Sequence, residues 1–236
     1  MIGLAIDTSN LVMGVAVANE ERVLAELITN EKKNHSVRLM PAIESILKEL
    51  DLTAKDVNRM IVAKGPGSYT GVRIGVSVAK TLAWTLSIPL VGVSSLEVLA
   101  QNGRYFQGYV SPLFDARRGQ IYTGLYDVVS GASTMVEKEC IIRSDIWGEK
   151  LKAFNTPILF LGNDIEKHRD SLQKTLKDFA FFGRVAEHNP RPGELAMLGM
   201  KREPEKSVHH FAPNYIQLAE AEAKWLAKKK SRDNNE

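Results

Sequence analysis

Apolar and polar positions divide the chain into short blocks. Ile2 to Ile6 is apolar and runs into the turn cluster Asp7-Thr8-Ser9-Asn10. Val12 to Val17 follows, then Glu20-Glu21, then Val23 to Thr29, so three strands joined by tight turns are expected. From Asn34 or Ser36 the period changes. Leu39, Met40, Ile43, Ile46, Leu47 and Leu50 recur at three- and four-residue steps, one apolar face of a helix. Pro41 lies past its first turn and removes a backbone donor, which predicts a local kink. Met60 to Ala63 is a further strand. A glycine-rich stretch then feeds a helix that ends near Ser87. Leu90 to Val93 is a short buried strand, and Ser94 or Ser95 caps a helix to about Gln101.

After Asn102-Gly103 and Gln107-Gly108 the cycle starts again. Tyr109 to Phe114, Gln120 to Tyr126 and Met135 to Ile141 read as strands. Trp147 to Phe154 reads as a helix, Ile158 to Leu161 as a strand and Ile165 to Leu176 as a helix. The order β-β-β-α-β-α thus occurs twice, near 1–87 and near 108–177. In each cycle the first strand ends at an aspartate, Asp7 or Asp115. The fold class is α/β, with two similar lobes at 1–104 and 105–217. A short helix near Gly193 to Lys201 and a terminal helix near 218–229 follow, the latter expected to pack back on the first lobe. Residues 230–236 form a solvated, frayed tail.

The stretch Gly65-Pro66-Gly67-Ser68-Tyr69-Thr70-Gly71-Val72-Arg73-Ile74-Gly75 fits neither common phosphate-loop spacing. Gly71 is followed by Val72 and Arg73 rather than Lys-Ser/Thr, and Thr70 stands where a dinucleotide fingerprint needs glycine. The glycines serve geometry instead. Gly65 to Gly67 makes a tight turn, and Ser68 or Thr70 caps the helix. Gly71 and Gly75 share one helix face, where a missing Cβ admits another backbone. Two apolar stripes run along this helix. Val72, Val76, Ala79, Ala83 and Leu86 form one; Ile74, Val78, Thr81 and Thr85 form the other. A helix apolar over so much of its circumference is buried on two sides or offers a face to a partner, and periodicity does not say which stripe does so.

Composition excludes some classes. The 236 residues are 44% hydrophobic and 25% charged, with net charge +3, values of an ordinary soluble protein that neither demand nor oppose nucleic acid. The N-terminus lacks a basic region and meets Asp7 early, unlike a signal peptide, and no run reaches the roughly 18 apolar residues of a membrane span. A cytoplasmic protein with no membrane contact is expected. The lone Cys140 sits beside Ile141 and Ile142 and reads as a buried structural thiol. His35, His168, His188, His209 and His210 have no metal-site spacing and read as surface residues. Gly75-Val76-Ser77-Val78-Ala79 imitates a nucleophile elbow but lies inside a helix. Asp7 with Thr8, and Asp115, are candidates for vestigial phosphate-binding turns, one per lobe; simple turn formation is the competing reading. The basic residues Arg117, Arg118, Lys201, Arg202 and Lys228 to Lys230 are scattered, with no aromatic platform among them.

Ile6-Asp7-Thr8-Ser9, His35 to Pro41, the Gly65 to Gly75 stretch and Val93-Ser94-Ser95-Leu96-Glu97 together resemble the bacterial TsaB (YeaZ) family. Asp115-Ala116-Arg117-Arg118 and Pro213-Asn214-Tyr215 extend the resemblance less distinctly. It implies a duplicated, two-lobed fold of the actin/Hsp70 (ribonuclease H-like) type. It also implies a non-catalytic subunit of the machinery that makes N6-threonylcarbamoyladenosine beside the anticodon of ANN-reading tRNAs. The implied partners are the catalytic subunit TsaD, the small ATPase TsaE and, for the chain alone, a second copy; tRNA is reached indirectly. No cofactor is implied, with ATP or ADP only at a complex interface. The catalytic relative carries His-Met-Glu-Gly-His where this chain reads Ser95-Leu96-Glu97-Val98-Leu99, so both imidazoles are replaced. Pairing through helices of the first lobe directs attention to Met40, Ile43, Leu47, Ile74, Val78 and Thr81. The alternative is a stand-alone metal- or ATP-dependent enzyme, peptidase- or kinase-like, of the same superfamily.

Overall fold

A computed structural model describes residues 1–31, 34–129 and 132–216. Two five-stranded sheets organise it. In the first, β1 (Gly3–Asp7), β2 (Met13–Ala18) and β3 (Val23–Thr29) form an antiparallel meander, and β4 (Arg59–Ala63) and β5 (Leu90–Val93) add in parallel, in the order β3-β2-β1-β4-β5. In the second, β6 (Tyr109–Arg117), β7 (Gln120–Val129) and β8 (Ala132–Arg143) form the meander. There β9 (Ile158–Leu161) and β10 (Ala180–Phe182) add in parallel, in the order β10-β9-β6-β7-β8. The two orders are the same, strand for strand. This is the duplicated α/β architecture of two similar lobes expected from the repeat.

Period-2 alternation splits each strand between two cores. On the outer face of the first sheet, Leu4, Ile6, Met13, Val15, Val17, Met60 and Val62 pack under α1 (His35–Glu49) and α2 (Tyr69–Leu86). The inner face carries small residues. Ala5, Ala16 and Ala18, with Ile61, meet Leu195, Ala196 and Met200 of α6 (Pro192–Met200). A Cβ on Gly3 would lie 2.7 Å from Met200 Sδ, and one on Gly14 3.0 Å from Pro192. In the second half, α4 (Ser144–Leu151) and α5 (Arg169–Leu176) cover Leu113, Ile121, Leu125 and Phe160. The inner face of that sheet packs Val110, Phe114, Tyr126 and Leu161 against Leu96, Leu99 and Ala100 of α3 (Ser95–Ala100). The helix after β5 therefore covers the second sheet, and α6, late in the chain, covers the first.

Asn34 caps α1 and Ser68 caps α2, each through its side-chain oxygen. Helix α1 is one element through the exposed Pro41. The strand expectations were short by one element: β10 completes the second sheet, from a segment too brief and too exposed (Phe181) to carry a strand pattern. The terminal helix near 218–229 and the tail 230–236 lie outside the described residues. No helix among the described residues is long and apolar enough to cross a membrane. Cys140 is half-buried at the edge of the second core rather than enclosed, and burial pushes its thiol upward. His168 corrects the surface reading of the histidines: it is 4% exposed, because α5 seats it against Asp115.

Candidate functional site

The turn after β1 is packed beneath the glycine helix. A Cβ on Gly67 would clash with the Ser9 carbonyl oxygen, and one on Gly71 with that of Thr8. A Cβ on Gly75 would lie 2.6 Å from Thr8 Oγ1. The Thr8 hydroxyl donates to the Gly71 carbonyl at 2.7 Å, and the Ser68 amide donates to the Ser9 carbonyl at 2.7 Å. The three glycines, four apart, are thus one groove for residues 8–9. Asp7 is buried inside this arrangement. Its Oδ1 accepts from the Ser9 amide at 2.8 Å, while Oδ2 is buried without a hydrogen-bond partner among the described residues. Burial raises its carboxyl above the usual range; the Ser9 amide and hydroxyl and the nearby His35 offset this only in part.

The turn after β6 is built differently. Asp115 is partly open, and its Oδ2 accepts from Lys167 Nζ at 3.0 Å. Its Oδ1 takes the Arg117 amide at 3.1 Å and faces His168 Nε2 at 3.3 Å. Burial alone would raise this carboxyl. The Lys167 ammonium, the Arg117 amide and His168 outweigh it and hold the group below its ordinary value. Arg117 and Arg118, at φ 67° and 54°, carry the hairpin into Gly119 at φ 73°. Asp7 with Thr8 and Asp115 are therefore in separate surroundings: the first pair is packed under α2, the second is matched by a lysine from its own lobe.

Where the catalytic relative would carry its metal motif, Ser95 and Leu99 are structural. The Ser95 hydroxyl accepts from the Gly65 amide at 3.1 Å, and the Ser95 amide donates to the Gly65 carbonyl at 3.0 Å. Leu99 is fully buried in the second core. Glu97 accepts both contacts of Arg202 Nη2, at 2.5 and 2.6 Å, and the Ser133 hydroxyl at 2.6 Å. Glu139 accepts from Tyr126 at 2.6 Å and is bonded to Ser94. A hydroxyl committed to backbone and a leucine in a core do not form a metal site, and among the described residues no His/Cys/Asp/Glu group has that form.

Helix α2 has four distinct sides. Val72, Val76, Ala79 and Ala83 face the sheet and are buried. Gly71 and Gly75 face the turn at residues 8–9. A third side, Tyr69, Arg73, Lys80 and Trp84, meets the chain at 205–215. Lys80 Nζ donates to the carbonyls of His209 and Phe211 at 2.9 and 2.7 Å. Arg73 Nε donates to Tyr215 Oη at 3.0 Å, Tyr215 stacks on Tyr69 at 4.9 Å, and Trp84 meets His209 edge-on at 6.0 Å. Phe211 fills the notch left by Gly92, and the Asn214 amide donates to the Lys64 carbonyl at 2.7 Å. The fourth side is open: Thr70, Ser77, Thr81 and Thr85 are exposed and Ile74 and Val78 half-buried.

The six residues picked out for pairing divide accordingly. Ile74, Val78 and Thr81 lie together on the open side of α2, and Met40 is 46% exposed on α1. Ile43 and Leu47, 4% and 6% exposed, instead face the sheet in the first core, so a partner of the folded chain does not reach them. On α1 the accessible apolar positions are Val37, Met40 and Pro41. Val37, three residues before Met40, shares its exposed side of the helix, a helical spacing that the sequence already offered. Of the second apolar stripe of α2, Thr81 and Thr85 are exposed among the described residues, while Ile74 and Val78 are half-buried at the edge of the first core.

Residues 22–225 match the family described as "TsaD: tRNA N6-adenosine threonylcarbamoyltransferase". A Bacillus subtilis protein, "tRNA threonylcarbamoyladenosine biosynthesis protein TsaB", is 53% identical over 227 residues, covering 96% of this chain and 99% of that protein. The Escherichia coli protein of the same description is 34% identical over 154 residues, 63% of this chain and 65% of its own length. Among solved structures, one described as "YeaZ from Pseudomonas aeruginosa" superposes with a TM-score of 0.76 at 25% identity, covering 91% of this chain and 99% of that one.

Proposed function

The chain belongs to the TsaB (YeaZ) family of tRNA threonylcarbamoyladenosine biosynthesis proteins, and from that premise we propose that it is the non-catalytic scaffold of its complex. The observation that carries this is the position of Ser95 and Leu99, held by the Gly65 backbone and the second core where the catalytic relative has two imidazoles. The partner is a TsaD-type catalytic subunit, and a second copy of the chain takes its place when the chain is alone. A TsaE-type ATPase joins the assembly, ATP or ADP enters only at a subunit interface, and tRNA is brought in by the complex.

Docking uses the open side of α2 with Met40 and Val37 of α1. Thr and Ser side chains there are small enough for a second helix to approach closely, while Ile74, Val78 and Met40 supply apolar contact. Ile74→Asp with Val78→Asp is expected to abolish co-purification with the catalytic subunit and leave the circular-dichroism spectrum unchanged. Retained binding by the folded double variant refutes the docking assignment. Threonylcarbamoyl transfer by the catalytic subunit is expected to require this chain in a reconstituted assay. The rival reading, a stand-alone ATP-dependent enzyme, requires a calorimetric heat for Mg-ATP on the isolated chain that disappears in Asp7→Ala or Asp115→Ala.

A further inference from the structure

We propose that Glu97 is the joint of a polar clamp that holds the two sheets at one fixed angle, so that the chain moves as a single body rather than as two lobes that hinge. Two helices lie between the sheets. Leu96, Leu99 and Ala100 of α3 face the second sheet, while Val98 turns the other way and joins Leu195, Ala196 and Met200 of α6 under the first. An apolar contact as narrow as this leaves one helix free to slide on the other. Polar ties fix it at two separated places. Beyond the C-terminal end of α6, Arg202 Nη2 donates to both oxygens of Glu97 at 2.5 and 2.6 Å, and the Arg202 carbonyl accepts from Arg59 Nη1 of β4 at 3.1 Å. The Ser133 hydroxyl of β8 donates to the same Glu97 at 2.6 Å. One carboxylate thus holds a strand of each sheet, β4 through Arg202 and β8 through Ser133.

Near the other end of α6, Arg104, from the turn after α3, donates to Glu194 at 2.5 Å. The two ion pairs are roughly 10 Å apart along α6. A body held at one point pivots; held at two it does not, and sliding α3 over α6 must break both pairs together. The start of α3 is seated as well. Its cap residue Ser94 donates to Glu139 of β8, which also accepts from the Tyr126 hydroxyl of β7 at 2.6 Å. Burial sets the weight of each tie. Glu97 is 8% exposed, so parting it from Arg202 leaves a buried carboxylate without its cation. The Arg104–Glu194 pair is more open and contributes less. The inference goes beyond the scaffold reading and stands without it; the clamp puts the docking face on α1 and α2 and the whole second sheet in one rigid frame.

The test uses the full chain, with amide hydrogen exchange followed by mass spectrometry and melting followed by calorimetry. The wild type is expected to melt in one transition. Glu97→Gln with Glu194→Gln keeps both side-chain shapes and removes both ion pairs. It is expected to raise exchange in α3 and α6 about tenfold or more, to leave β1 and β6 unchanged, and to separate melting into two transitions. Arg143→Ala, which breaks the exposed pair with Asp145, is expected to change neither reading. Wild-type exchange and a single transition in the double variant overturn the proposal, since apolar packing alone then joins the sheets. A wild type that melts in two transitions overturns it as well. Should the double variant not fold, Arg104→Gln at the more open tie is read in its place: faster exchange in α3 and α6 supports the clamp, and unchanged exchange overturns it.

Discussion

Asp7 closes β1 and Asp115 lies two residues before the end of β6, its counterpart in a sheet of the same strand order, yet their carboxyls are shifted in opposite directions. Asp7 is sealed under α2, is offered one backbone amide, and is pushed toward its neutral form. Asp115 is open to one side, meets Lys167 and His168, and is held ionised. The difference comes from the helices that follow. In the first half, glycines at 67, 71 and 75 let α2 close down on the turn. In the second, Lys167 and His168 stand at the start of α5, and the hairpin at Arg117 to Gly119 stays open. Topology sets where a strand ends; the size and charge of what packs there sets the chemistry.

The largest test of this contrast compares glycines. Gly71→Ala forces a methyl against the Thr8 carbonyl and is expected to cost about 3 kcal/mol or more in urea denaturation. Gly119→Ala meets nothing within 4 Å and loses only left-handed backbone freedom, about 1 kcal/mol. Equal losses at the two sites would break the comparison. Next come the outer helices. Ile74→Asp on α2 is expected to weaken partner binding at least about a hundredfold, the loss of a central interface contact. Ile146→Asp on α4, 53% exposed in the second half, is expected to leave binding unchanged by surface plasmon resonance.

The smallest effects are in pH dependence and have opposite signs. A carboxyl raised by folding contributes stability below its unfolded value and loses it as pH rises through the folded value. Asp7→Asn is therefore expected to match or exceed wild-type stability at pH 7, with the advantage shrinking as the solution is acidified into the carboxylate range. Asp115 is lowered, so its contribution is present above the ordinary value and fades as pH falls through the folded one. Asp115→Asn is expected to cost up to about 1 kcal/mol at pH 7, discounted for the exposure of Lys167, and nothing in strong acid. Thermal melts of both variants between neutral and acidic pH decide the signs.

Much of the fold could be read in advance because its signals are local. Strand runs of period 2, the α1 face and the caps at Asn34 and Ser68 all reside in neighbouring residues, and the repeat followed from them. β10 escaped because three residues carry no period, and His168 because its burial depends on a strand fifty residues away. Of the pairing residues, Ile43 and Leu47 had the same apolar character as Met40, and helical periodicity marks an apolar face without saying what lies against it.

What the sequence alone determined is the set of elements, the doubling of the architecture, and the presence of Ser95 and Leu99 where the family resemblance implies two imidazoles in the catalytic relative. Those are properties of residue identity and spacing. Only the tertiary structure decided that Gly67, Gly71 and Gly75 accommodate the turn at Thr8 and Ser9. It alone left Thr81 and Thr85 exposed with Ile74 and Val78 half-buried beside them, and brought Trp84 beside His209. Each of these depends on which surfaces meet across long separations in the chain, and close packing settles that through the volumes and charges of all the partners together.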